Sequence, residues 1–244
     1  MSDKKPDTIK LWDSVERTDP QYTKNFTKGG GFSGTSINAT YLAKKATQAF
    51  GPMGIGWGVD IVGEDFIPGS IIDAETGEKT IIHRLQIKLW YIQGDKRGEV
   101  THFGQTTFVG RNKHGSFTDE EAPKKSLTDA TTKALSMLGF GGDIFMGLYD
   151  DQEYREEATN MSLLEKADNK DAELARIQKE YADWRKEHID LLRSAKSGNE
   201  VKTLYTLMAR KMARHNDTKG LRIVEELKAE AIERIKEASN ANAA

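Results

Sequence analysis

Residues 122–142 read APKKSLTDATTKALSMLGFGG, and the reading of this stretch decides the fold. Pro123 suits the first turn of a helix, because its missing N–H would have no partner there anyway. Leu127, Ala130, Ala134 and Leu138 recur at helical spacing and predict one buried stripe. Lys125, Asp129 and Lys133, spaced i, i+4, i+8, share another face. Gly139, Gly141 and Gly142 end the helix and allow positive φ. The stretch is a helix of about four turns with an apolar face and a basic, hydroxyl-rich face. Taken alone, it is a core helix with a solvated side, the usual use of an amphipathic helix.

Three strand-like runs precede it. Residues 57–67 alternate imperfectly. Residues 79–93, KTIIHRLQIKLWYIQ, alternate over their length, with Ile81, Leu85, Ile87 and Leu89 at the positions to be buried. Residues 99–109 alternate again. Thr76-Gly77-Glu78 and residues 94–98 between them are hairpin turns, so the runs form an antiparallel three-strand meander. Residues 110–121 read as a polar loop bearing Arg111, Lys113 and His114. Further upstream, residues 36–50 read as a helix with Ser36 as N-cap, stopped by Gly51-Pro52-Met53-Gly54. Residues 22–32, YTKNFTKGGGF, read as a loop. There Gly29, Gly30 and Gly31 let the backbone come close to a ligand, and Lys24 and Lys28 supply charge. Residues 1–10 read as a flexible tail, residues 11–15 as a short helical turn and Asp19-Pro20 as a turn.

Beyond Asp150 the strand signals stop. Residues 151–195 are charged and helical, with a hinge within 158–171 and an apolar stripe of Leu174, Ile177, Tyr181, Trp184, His188 and Leu191. Two more amphipathic helices follow, at 201–213 and 221–238. The expected fold class is α+β: an antiparallel three-strand meander packed on helices, then a C-terminal helical region. The expected domains are residues 11–155 and 156–244, after the tail at 1–10.

Composition narrows the function. The chain has 244 residues, 37% hydrophobic and 30% charged, with a net charge of −2. That excludes a uniformly basic nucleic-acid binder but not a basic groove balanced elsewhere. Residues 1–150 hold 18 Lys and Arg against 19 Asp and Glu, so the useful signal is local: cations gather at 24–28, 111–113 and 124–133. Cysteine is absent, which removes disulfides, thiol nucleophiles and cysteine-ligated metals. No apolar run approaches the roughly 20 residues of a membrane helix, and the polar N-terminus is not a signal peptide. A soluble cytoplasmic protein is expected. The five histidines have no H-E-x-x-H spacing, and neither G-x-S-x-G nor a phosphate-loop motif occurs. Asp150, Asp151 and Glu153 fall at a helix start, where acids complement the dipole. The expectation is a binding protein and not an enzyme, with no catalytic residue, metal or cofactor. A helix packed on a sheet beside clustered lysines suits a flexible polyanion. Lysines meet phosphates there, and Thr128, Thr131 and Thr132 donate hydroxyl hydrogen bonds to them.

Four segments carry a resemblance. Pro20-x-Tyr22 followed by Gly29-Gly30-Gly31, the helix ending Phe50-Gly51 with Gly56-Trp57 after it, the meander, and Thr128-Asp129-x-x-x-Lys133-Ala134-Leu135-x-x-x-Gly139 occur in this order. Over residues 11–150 the chain resembles the Rad-fifty-two family of single-strand annealing proteins and the phage essential-recombination-function family. The last segment is the most specific. The resemblance implies a β-β-β-α core that assembles side by side into rings or helical filaments. Single-stranded DNA would lie in a continuous basic groove, phosphates inward and bases exposed for pairing, without ATP. It implies that Thr128 and Lys133 line the DNA site, with Lys124 and Lys125 just before them. Lys24, Lys28, Gly29, Gly30, Gly31, Arg111 and Lys113 complete the candidate set. Eukaryotic members are basic where this chain has Thr132 and Ser136, and Phe26 stands where they have a basic residue ahead of the triple glycine. Implied partners are single-stranded DNA, the annealed duplex intermediate and further copies of the chain. The C-terminal helices are the candidate contact to a host single-strand-binding protein. Two alternatives stay open: a mediator that loads onto DNA through such a partner, and an oligomeric scaffold without a nucleic-acid role.

Overall fold

The computed structural model describes residues 7–27, 30–31 and 33–241. The chain divides into two units, Met1–Thr159 and Asn160–Ala244. Residues 1–6 of the expected tail lie outside the described residues. Residues 7–10 are not tail: a 3₁₀ turn, Asp7–Ile9, runs into helix α1, Lys10–Val15.

The glycine-rich segment read as a loop is a hairpin. Strand β1, Thr23–Thr27, pairs antiparallel with β2, Ser33–Ile37. Between them Gly30 and Gly31 take φ of 86° and 82°, which only glycine adopts without strain. Helix α2, Ala39–Phe50, starts later than read: Asn38, not Ser36, caps it, its side chain accepting from Tyr41 N at 3.1 Å. Ser36 is still in β2, and its hydroxyl donates to Lys24 O.

Next comes an antiparallel sheet in the order β3, Trp57–Ile71; β4, Lys79–Gln93; β5, Lys96–Asn112; β6, Gly115–Thr118. The strict alternation of β4 buries His83, Leu85, Ile87 and Leu89 on one face, the period-2 pattern of a strand covered on one side. His83 is the buried residue beside Leu85, and Ile81 is only half-buried. The His83 Nε2 meets Glu64 Oε1 at 2.9 Å. The segment read as a polar loop after β5 instead folds back: β6 pairs Val109–Asn112 of β5. Three strands were expected; the fourth is this short return.

Helix α3, Ala122–Ser136, lies on β4 and β5. Its buried stripe is Ala122, Ser126, Ala130 and Ala134, joined by Leu135. Leu127, expected to be buried, is 37% exposed. The reason is the closeness of the approach. A Cβ on Gly104 of β5 would stand 1.9 Å from the Ser126 carbonyl oxygen, so helix and strand touch backbone to backbone and only small side chains fit between. Leu42 and Ala46 of α2 close the core with Trp57, Phe140 and the β4 residues. Short helix α4, Gly142–Phe145, follows. Its Asp143 is buried, and its carboxylate accepts from Thr18 N (2.7 Å), Thr18 Oγ1 (2.6 Å) and Tyr154 Oη (3.1 Å). Tyr149 Oη donates to Thr18 O at 2.6 Å. Burial and the Asp143 charge push both tyrosine phenols upward from their usual pKa.

Helix α5, Gln152–Lys166, contains the boundary between the units. The second unit is built from α6, Lys170–Ser194; α7, Gly198–Arg214; and α8, Thr218–Ala241. Leu192, Val201, Met208, Met212, Val224 and Leu227 form its core. Within the stretch 158–171, expected to hold a hinge, the helices are interrupted at residues 167–169, where Asn169 caps α6 by accepting from Ala172 N.

Candidate nucleic-acid interface

The polar side of α3 does not face open solvent along its whole length. With the end of β2 and the start of α2 it bounds a cleft of about 500 Å³, lined by Ile37 and Ala39 on one wall and by Glu121, Lys124, Lys125, Thr128, Asp129 and Thr132 on the other. Helical spacing explains the second wall: 121, 125, 128 and 132 lie one above another, with 124 and 129 beside them. The first wall is the N-terminus of a 12-residue helix, where the dipole favours an anion, although Tyr41 N is already taken by the Asn38 cap.

Three of the expected site residues, Lys124, Lys125 and Thr128, therefore meet in one cleft. Both lysines are held by acids. Lys124 Nζ donates to Glu121 Oε1 at 2.8 Å and Lys125 Nζ to Asp119 Oδ2 at 2.6 Å. The lysine bond, helped by the Glu121 backbone N–H, keeps the Asp119 carboxyl below its usual range. Both ammonium groups are exposed, so these pairs contribute little to stability.

The hydroxyls behave differently from expectation. Thr128 Oγ1 donates to Lys124 O at 2.9 Å and Thr131 Oγ1 to Leu127 O at 2.8 Å. Both protons are spent on carbonyls one turn back, a common arrangement for mid-helix threonine. Thr132, half-buried in the cleft, has no hydrogen-bond partner among the described residues, which makes it the hydroxyl available to a ligand. Sequence reading named Thr132 among the hydroxyl donors, and as a place where eukaryotic members of the resembled family are basic, but gave no sign of Ile37 or Ala39. An N-cap at Asn38 would have been the signal for the latter two.

The remaining candidates are dispersed. Lys24 is exposed on β1, paired in register with Ser36, the neighbour of the cleft residue Ile37. Gly30 and Gly31 form the hairpin turn; Lys28 and Gly29 lie outside the described residues. Lys133 does not join Lys125 in the cleft. Its Nζ sits 4.8 Å from the centroid of the Phe145 ring, a cation–π contact with α4. Arg111 braces a hairpin: Nη1 donates to Ile72 O at 3.1 Å and to Asp73 Oδ2 at 2.9 Å. Neither Arg111 nor Lys113 lines the cleft. No group of three or more His, Asp or Glu among the described residues could hold a metal ion. No helix among them is long and apolar enough to cross a membrane.

Comparison with known proteins finds no matching family model and no matching curated protein.

Proposed function

We propose that the chain is an ATP-independent single-strand annealing protein, a phage-type recombinase that binds single-stranded DNA in the α2–α3 cleft and pairs complementary strands. The observation that carries this reading is the meeting of Lys124, Lys125 and the unpartnered Thr132 with the N-terminus of α2 across one 500 Å³ cleft. Two exchangeable cations, one hydroxyl and the start of a helix dipole make a receptor for phosphate. Glu121 and Asp129 in the same wall limit affinity per site, so useful binding comes from many sites side by side along one strand. Repeated phosphate contacts offset the repulsion between two strands and leave the bases outward for pairing.

Assembly of copies belongs to the same proposal. The outer edge of β5 before Val109 has no strand beside it among the described residues, because β6 pairs only with Val109–Asn112; Gln105 N donates there to Asp129 Oδ2 and Phe108 O accepts from Asp119 N, and the rest of the edge is a template for a further chain. The protein would work in the cytoplasm of a bacterial host. Fluorescence anisotropy of a labelled oligothymidylate tests the reading, with the double substitution Lys124→Ala/Lys125→Ala as comparison. Weaker binding by the variant supports it; equal binding removes the cleft from the account.

A further inference from the structure

The second unit carries an array of aromatic rings set in a basic corner. On α6, Tyr181 and Trp184 stack at 5.9 Å between centroids and 20° between planes, and Trp184 meets His188 at 4.5 Å. His215, in the connection after α7, stacks on Tyr181 at 4.1 Å and 20°. Tyr181, Trp184 and His188 are half-buried, whereas His215 is exposed, so the imidazole is the solvent end of the array. Lys211 Nζ lies 4.7 Å from the Trp184 centroid.

Asp217 fixes this geometry. Its carboxylate accepts from Tyr181 Oη at 2.9 Å, Arg185 Nη1 at 2.9 Å and Gly220 N at 2.8 Å, and its side chain is 13% exposed. Asn216, with φ of 54°, turns the chain between the helices, a conformation asparagine tolerates.

Charge is lopsided here. Residues 201–224 contain six Lys and Arg and a single acid, Asp217, which is already engaged by Arg185; Glu200, Glu225 and Glu226 bound the stretch, and Asp183 and Glu187 flank Trp184 on α6. Arg210, Arg214, Lys219 and Arg222 are exposed. Among the described residues Arg210, Lys219 and Arg222 take part in no ion pair. Cations at the end of α7 complement its dipole, but Lys219 and Arg222 stand at the start of α8, whose first turn has no acid. There the dipole opposes Lys219, so helix stability does not account for that cation; Arg222 stands one turn further on. Lys211 on the Trp184 ring and exposed cations on either side of the His215–Asp217 connection match what single-stranded nucleic acid offers, phosphates and flat bases. An acidic peptide would use the charges and leave the rings idle.

We infer that the α7–α8 corner is a second single-strand contact, in which these cations neutralise phosphates and a nucleobase stacks on the His215 imidazole. This contact is separate from the α2–α3 cleft and stands or falls without it.

The test uses the full chain and an oligothymidylate carrying 5-iodouracil, photocross-linked and mapped by mass spectrometry. Affinity and its salt dependence are measured in parallel for Lys219→Ala/Arg222→Ala and for His215→Ala, with circular dichroism confirming the fold. Cross-links to Tyr181, Trp184 or His215 are expected. The double variant should bind several-fold more weakly, with a salt slope smaller by about 1.4, the single-strand value for two phosphate contacts. His215→Ala should weaken binding of thymidylate but not of an abasic strand. No cross-link between residues 181 and 222, together with unchanged affinity and slope, would overturn the inference. So would protection of the corner by a glutamate-rich peptide but not by the oligonucleotide, which would make it a peptide site. Cross-links confined to residues 121–132 would overturn this contact while leaving the cleft reading intact; cross-links confined to the corner would do the reverse.

Discussion

Gly104 and Ser126 set the height of α3 above the sheet: a Cβ at position 104 would stand 1.9 Å from the Ser126 carbonyl oxygen and 2.7 Å from Ala130 N. Both atoms belong to helix backbone, so no side-chain rotation relieves the clash. The same helix carries one wall of the cleft, so this contact links the core to the candidate interface.

Gly104→Ala is therefore expected to lift α3 or to unfold the unit. Overpacking of this kind costs roughly 1–3 kcal/mol, read as a lower denaturation midpoint. If the fold survives, DNA affinity should fall as well, because Lys124, Lys125 and Thr132 move with the helix. Ala at position 104 with unchanged stability would mean that the sheet bends freely at this point.

Asp143 ties the segment after α1 to the end of the core. Asp143→Ala strands Thr18 N, Thr18 Oγ1 and Tyr154 Oη, and should cost roughly 2–4 kcal/mol by chemical denaturation. Thr18→Val removes one of the two Thr18 donors and should cost about 1–2 kcal/mol.

The limits of legibility follow from the same contacts. The alternation of β4 was readable because a strand covered on one face must repeat every two residues, and Leu85, Ile87 and Leu89 are buried as expected. The stripe of α3 was readable in part: Ala130 and Ala134 are buried as expected. Ser126 faces Gly104 across a backbone contact and carries no hydrophobic signal; Leu127 carried it and is exposed. Strands β1, β2 and β6 are short, polar and glycine-flanked, so their sequences resemble loops, and only hydrogen bonding to a neighbour makes them strands. Lysine clustering located the cleft through Lys124 and Lys125. It could not separate them from Arg111, which braces Asp73, or from Lys133, which lies on Phe145, because a cation's partner is set by tertiary structure.

In the proposed complex Glu121 competes with DNA for Lys124, to which it is bonded at 2.8 Å. Glu121→Gln should strengthen oligonucleotide binding by roughly two- to fivefold at low salt, the worth of one exposed ion pair, and the gain should shrink as salt rises. Anisotropy titrations at two ionic strengths check both statements.

Asp119 offers a pH test of the cleft. Its folded pKa is depressed by the Lys125 bond. The stability it contributes is therefore present above the unfolded carboxylate value of about 3.9 and lost as pH falls through the lower folded value. Carboxyl carbon NMR should give Asp119 a pKa below that value, and Lys125→Ala should raise it towards the ordinary range. An unchanged Asp119 titration in the variant would show that the bond does not persist in solution.

The central claim is that the α2–α3 cleft holds the phosphates of single-stranded DNA. Its most direct test is the salt dependence of oligothymidylate binding by the native chain and by Lys124→Ala/Lys125→Ala. The expected result is a steep loss of affinity with salt for the native chain, and for the variant weaker binding with a slope smaller by about 1.4 in a chain that circular dichroism shows to be folded. Identical slopes and affinities for the two proteins, or no binding by either, would contradict it.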